Sequence, residues 1–227
     1  MPPITLDIVS DTICPWCYLG KRRLEAALAR RPDVQLDIRW HPYQLDPSIP
    51  PEGVPHRERL AAKFGSAARL DAAHARLRDL GAPLGIRYDF DRIPRTPDTI
   101  ATHALARWAY AQGGAALQGN VIDRVFRAFF EDGADLTDPE VLVRLAGEAG
   151  MDEADVRDKL AARADFDTVR AEADGWRRSG VDGVPTFVFA ERWSVSGAQE
   201  VDTFLRVLDQ VVAQTKAETD ASASATK

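Results

Sequence analysis

Two strand-like segments open the chain, and no further clear strand follows until residue 185. Residues 4–9, ITLDIV, alternate around Ile4, Leu6 and Ile8 and are rich in β-branched types. Residues 34–40, VQLDIRW, place Val34, Leu36, Ile38 and Trp40 on one face at period two. Between them, from Pro15, residues Leu19, Leu24, Ala27 and Leu28 form a helical stripe that ends before Pro32. Strand character returns at 185–190 (PTFVFA) and 193–196 (WSVS), with Glu191 and Arg192 in a tight turn. The first strands have no partner until then. The economical solution is an α/β fold: one discontinuous sheet domain, residues 1–52 and 181–216, split by an all-helical insertion over 53–180.

The intervening sequence fits that solution. The segment HPYQLDPSIPPEGVPH holds five prolines and reads as an extended connector leaving the first unit. Helices are then predicted over 57–80, 98–112, 115–131, 138–149, 152–162 and 166–179, with a short extended piece at 86–90. Val121, Ile122, Val125, Phe126, Phe129 and Phe130 form one wide apolar face, which reads as core. Asp138 before Pro139 and Glu140 resembles a helix cap with proline in the first turn. A last amphipathic helix is predicted from Gln199 to Val212. The tail 217–227, AETDASASATK, lacks aromatic and branched apolar residues and is expected to be disordered.

Composition narrows the partners. With 29 Lys+Arg against 35 Asp+Glu, the net charge is −6 and no basic run stands out. Phosphate-backbone binding needs clustered cations, so no nucleic-acid partner is expected. The N-terminus MPPITLDIVSDTICPWC has no cationic lead, and Asp7 and Asp11 interrupt its apolar residues, so no secretory leader is expected. No window approaches about 18 uncharged apolar residues, so no membrane span is expected. Cys14 and Cys17 are the whole thiol inventory, where a disulfide-stapled secreted scaffold would use more. The expectation is a cytoplasmic protein, monomeric or homodimeric.

The two cysteines stand two residues apart in Cys14-Pro15-Trp16-Cys17, where a strand ends and a helix begins. Such a pair can close a small disulfide ring, ligate one metal, or be two unconnected structural thiols. Zinc needs two further ligands, and His41, His56, His74 and His103 form no closely spaced pair. A helix N-terminus carries unpaired N–H groups and partial positive charge, which favour thiolate. Pro15 suits the first turn because its missing N–H costs nothing there. Cys14 would then be the exposed nucleophile and Cys17, one turn further in, the buried resolving thiol. Trp16 is expected beside the sulfur, shaping access. A second signal is Gly183-Val184-Pro185-Thr186 at the start of the third strand. Pro185 either simply initiates that strand or follows a cis bond.

Together these segments identify a family resemblance. A CPWC motif after the first strand, a GVPTF segment before a late hairpin and a helical insertion between them resemble the DsbA-like branch of the thioredoxin superfamily. Within it, SDTICPWCYLGKRRLE, WHPYQLDP, GVPTFVF and VSGAQ are similar to the FrnE-like group, over residues 4–213. The resemblance implies a thioredoxin fold with an inserted helical domain, and a cis bond between Val184 and Pro185 opposite the cysteines, where both residues would contact substrate. Related members share an Asn-Thr/Ser segment followed by Ala-His. Here Asp98 stands for the Asn and Thr102 for the Ala, in Pro97-Asp98-Thr99-Ile100-Ala101-Thr102-His103. Asp98 is read first as a helix cap, and otherwise as a charge that raises the thiol pKa. Asp11 also matches the family and is read first as a turn cap, otherwise as a proton shuttle. His103 reads as a hydrogen-bonded histidine ahead of a catalytic one.

The resemblance implies a thiol–disulfide oxidoreductase using a redox-active Cys14–Cys17 pair on thiol or disulfide clients, with no tightly bound cofactor or metal. Glutathione-dependent chemistry on a small molecule is the alternative. 2-Hydroxychromene-2-carboxylate isomerase and kappa-class glutathione transferases resemble this chain, but ordinarily carry serine at the Cys14 position and no second cysteine. A non-enzymatic, chaperone-like binding module is the third reading.

Overall fold

The computed structural model describes the backbone of residues 3–225 and the side chains of residues 3–217. In chain order the elements are β1 (Ile4–Ser10), α1 (Pro15–Ala29), β2 (Leu36–Pro42), β3 (Val54–Pro55), α2 (His56–Phe64), α3 (Ala67–Gly81), β4 (Arg95–Thr96), α4 (Ile100–Phe130), α5 (Pro139–Ala149), α6 (Glu153–Ala161), α7 (Phe166–Arg178), β5 (Thr186–Phe189), β6 (Trp193–Ser196) and α8 (Val201–Ala225). β1 is buried along almost its whole length because it lies inside a four-stranded sheet ordered β2-β1-β5-β6. It pairs with β2 in parallel and with β5 antiparallel. The late strands therefore complete the sheet begun by the early ones.

Residues paired across strands share a face, and neighbours along a strand alternate. Ile8 pairs with Trp40 and Phe187, and their face receives α1 and α8. Phe204 of α8 meets Phe187 edge-on at 4.9 Å. Gly20 lets α1 approach closely: a Cβ there would come within 3.0 Å of Pro185 and 3.2 Å of Phe187. The opposite face carries Asp7 and His41, and α7 reaches them through Glu172.

α4 serves both faces. Its first part sends Arg107 to Glu172 at 3.4 Å, and its second packs Phe126 against Trp40 at 6.2 Å. Helical geometry breaks between them at Gly113 and Gly114, where the sequence separates two helices. Just beyond, buried Gln118 accepts the Trp40 N–H at 2.8 Å and donates to the Trp40 carbonyl at 2.9 Å. An edge strand with free backbone groups invites unwanted pairing, and Gln118 closes β2 against it.

Several boundaries differ from expectation. The predicted helix 57–80 is two helices, because Gly65 adopts φ 81° and Ser66 caps α3 by accepting the Arg69 N–H at 3.2 Å. The intervening segment is not all-helical: β3 and β4 pair Val54 with Thr96, a ladder too short to leave a periodic pattern. No strand forms over 86–90. The strand expected at 34–40 runs from Leu36 to Pro42. The tail expected to be disordered continues α8 to Ala225, since neither glycine nor proline interrupts this alanine-rich stretch. Residues 226–227 lie outside the described residues.

The trio Asp7–His41–Glu172 ties β1, β2 and α7. His41 meets Asp7 through Nε2 and Glu172 through Nδ1, each at 2.8 Å. Burial alone would lower its pKa, but the hydrogen bonds to Glu172 and Asp7 outweigh it and hold the pKa above 6.5. A raised folded-state pKa gives stability that is complete below the unfolded value and lost as pH rises through the folded one. His41→Gln should therefore cost more stability at about pH 5.5 than at about pH 8.5. Urea unfolding at both values checks this, and an equal cost would contradict it.

Candidate active site

The end of β1 delivers Ser10, Asp11, Thr12 and Ile13 to the first turn of α1. Cys14 occupies the N-cap in extended conformation, and Pro15 takes the first helical position. Cys17 follows one turn on and accordingly lies deeper. It is fully buried, while Cys14 is only 3% exposed. Cys14 is thus not the openly exposed thiol that the motif suggests. Helices α2 and α3 wall the space in front of it and turn it into the floor of a cleft of about 450 Å³. Both residues are free thiols, and they lie near each other. Burial first, and then Cys14 beside it, push the Cys17 thiol well above its ordinary range.

The β1–β5 pairing brings the second motif to the first. The Val184–Pro185 peptide is cis, and the Val184 carbonyl accepts a hydrogen bond from the Cys14 sulfur at 3.7 Å. Pro185 is held in turn by the VSGAQ segment. Gly197, in the left-handed region at φ 83°, donates its N–H to the Pro185 carbonyl at 2.7 Å. Buried Arg23 binds the Ala198 carbonyl and Glu200, each at 2.6 Å, locking that segment to α1.

The remaining sequence candidates divide. Asp11 is fully buried, and its carboxylate accepts the Leu45 N–H at 2.7 Å and the Ile13 N–H at 3.4 Å. It caps the turn before Cys14 and fastens it to the YQLDP loop. His103 donates from Nε2 to the Tyr43 carbonyl at 3.1 Å, with Asp11 at 3.7 Å, and so steadies the same loop. Asp98 lies away from the cleft. It accepts from Gln44 at 2.8 Å and from the Ile100 N–H at 3.3 Å, and pairs with Arg170 at 3.0 Å. Trp16 lines the cleft beside Cys14, with the Arg76 guanidinium 5.8 Å from its ring centre.

Other residues complete the loop's support. Buried Thr102 donates its hydroxyl to the Thr99 carbonyl at 2.7 Å, so the Thr12 hydroxyl donates to Thr102 at 2.8 Å. The Thr102 departure thus gives the loop a tether to α4. Tyr88 donates its hydroxyl to the Pro15 carbonyl at 2.6 Å, from the 86–90 segment that the sequence reads as a short extended piece. Burial first, and then Cys14, raise its pKa, so it stays protonated as a donor. His56 and His74 also line the cleft, as do the partly exposed Leu45 and Phe64. Among the described residues, no group of three or more histidines, cysteines or carboxylates is placed to hold a metal, and no helix is long and apolar enough to cross a membrane.

A model of the DSBA-like thioredoxin domain matches residues 5–209. The chain belongs to this family. The thioredoxin fold with a helical insertion that the motifs imply is therefore present. A probable DsbA oxidoreductase from Streptomyces coelicolor is 34% identical, covers 92% of this chain and 90% of its own, and superposes with a TM-score of 0.82. Two more distant structures share the fold. A 2-hydroxychromene-2-carboxylate isomerase is 21% identical over 96% of this chain and 98% of its own, with TM-score 0.66. The cytosolic disulfide reductase DsbM from Pseudomonas aeruginosa with GSH is 22% identical over 95% of this chain and 99% of its own, with TM-score 0.62. Membership supports an oxidoreductase or an isomerase.

The difference between the two thiols is measurable. At about pH 7, limiting alkylation should label Cys14 first, with Cys17 at least about tenfold slower because little of it is thiolate and none is exposed. Peptide mass spectrometry reads the order, and faster labelling of Cys17 would reverse the assignment.

Proposed function

We propose that this protein is a thiol–disulfide oxidoreductase working through Cys14 and Cys17. The observation that carries this reading is the pair itself: two neighbouring free thiols at the start of α1, one on the floor of a cleft and one fully buried. A thiol that meets substrate and a second that only the first can reach are what two-step exchange requires. Cys14 attacks one sulfur of a disulfide substrate, whose S–S bond breaks and releases one thiol. Cys17 then displaces the second thiol and closes the Cys14–Cys17 bond. The protein loses two electrons and two protons, which end on the two thiol products, and the reverse sequence oxidises a dithiol client.

The Val184 carbonyl, within hydrogen-bonding reach of the Cys14 sulfur, belongs to backbone that an extended client can meet by strand-like hydrogen bonds. The cleft is also large enough for a small thiol, and glutathione is the candidate co-substrate, in keeping with the glutathione carried by the Pseudomonas neighbour. Glutathione-dependent isomerisation needs only one such group, whereas this site keeps a second thiol near the first. No tightly bound cofactor enters this scheme, and a cytoplasmic setting suits a chain whose only cysteines form the working pair.

Cys17→Ser should accumulate mixed disulfides, because attack at Cys14 persists and internal resolution is lost. Cys14→Ser should accumulate almost none and reduce insulin only at the uncatalysed rate. Non-reducing electrophoresis and intact-mass measurement with glutathione disulfide check both. Equal trapping by the two variants would refute the division of roles.

A further inference from the structure

We propose that His56 is a positioning residue for substrate, donating a hydrogen bond from Nε2 to the carboxylate of a small acidic thiol or disulfide held in the Cys14 cleft. The inference rests on the exchange reading above and adds the substrate class. His56 is only 5% exposed and lines the cleft that Cys14 floors. The β3–β4 ladder sets its ring beside Thr96, whose hydroxyl lies 2.8 Å from Nδ1. The ring also stands edge-on to Phe129 at 5.8 Å, which fixes its plane. Nε2 alone is left over: among the described residues it is buried and has no hydrogen-bond partner. Native proteins rarely leave such an atom unsatisfied, and an orphan on a ring that lines a cleft points to a ligand.

Charge selects the ligand. Of the ionised groups lining the cleft, Asp46 is paired with Arg59, whereas Lys63 and Arg76 have no ion-pair partner among the described residues. Arg76 lies against Trp16, beside Cys14. The mouth is therefore cationic, while Ile49, Leu60, Phe64 and Phe90 make the walls apolar. A donor on the wall and cations at the mouth suit an anionic oxygen. The Thr96 hydroxyl can donate to Nδ1, and the proposed role uses that tautomer, with the proton on Nε2. Burial, and then the charge of His74, lower the His56 pKa to about 4, so the ring acts at neutral pH as a neutral donor and not as a cation.

The test compares two disulfides on the fully reduced, full-length protein. Dithiodipropionate carries carboxylates and bis(hydroxyethyl) disulfide carries none; both accept two electrons and two protons to give two thiols. Oxidation rates, each divided by the rate with free dithiothreitol, give a preference for the acidic probe. The expected wild-type preference is about tenfold, the order of one hydrogen bond to a charged group. His56→Phe should cut the preference to the part the mouth cations sustain, slowing the acidic probe severalfold more than the neutral one. Thr96→Val should weaken the preference through the tautomer, and His56→Gln should restore part of it. Arg76→Gln should reduce it in a way that added salt mimics. A wild type that oxidises readily with no preference overturns the inference and leaves the exchange reading intact. His56→Phe slowing both probes equally marks a packing role and also overturns it. A wild type that neither disulfide oxidises overturns the exchange reading itself, and the inference with it.

Discussion

The antiparallel pairing of β1 with β5 is the contact on which the site depends. It sets Leu6, Ile8 and Val9 against Phe189, Phe187 and Thr186, across most of the length of the chain. Everything upstream of β5 in the active site, from Asp11 to Cys17, hangs from one end of β1. Val184 and Pro185 hang from the adjacent end of β5. Because β1 is buried along both edges, register errors are costly: a one-residue slip would turn Ile8 and Phe187 out of their shared face. The proximity of the Cys14 sulfur to the Val184 carbonyl follows from that register and from the close seat of α1 that Gly20 permits.

Around this contact the structure holds a short irregular loop rigid with buried polar groups. Asp11, Thr12, Thr102, His103 and Tyr88 are all hydrogen-bonded, and together the bonds join the loop to three other parts of the chain. Singly such bonds contribute about 0.5–1.5 kcal/mol, but breaking one strands a buried partner at greater cost. Their effect is to bind the loop before α1 to the YQLDP loop, to α4 and to the Tyr88 segment. The helices between the early and late strands are therefore part of the site, supplying both the tethers and the far wall of the cleft. The wall explains why Cys14 is nearly buried even though it starts a helix.

The same enclosure separates the two thiols by more than their order in the motif. Cys17 sits under Cys14, where burial keeps it protonated, and only its neighbour can reach it. Cys14 instead floors a cleft with apolar walls, a cationic mouth and two buried imidazoles, His56 and His74, on its sides. The thiols belong to the sheet unit, and the cleft residues His56, Lys63 and Arg76 to α2 and α3.

The sequence by itself determined the interrupted sheet, the cysteine pair at a strand–helix junction and the late Val184–Pro185 segment. These are legible because period-two alternation, helix caps and short motifs are local, recorded within a few residues of one another. The helix break at Gly113–Gly114 was legible for the same reason. The two-residue β3–β4 clip was not, because so short a ladder has no period, and neither was the onward run of α8, where polarity concealed an uninterrupted helix. His56 in a proline-rich connector and Tyr88 in an irregular segment carried no signal of any role. Asp98 read first as a helix cap and otherwise as a charge near the thiols, and the tertiary structure has it accept the Ile100 N–H and pair with Arg170, away from the cleft. Which side chains surround Cys14 was decided only by the packing of α2, α3 and α4 against the sheet, since contacts between distant segments depend on three-dimensional placement and leave no periodic trace in the chain.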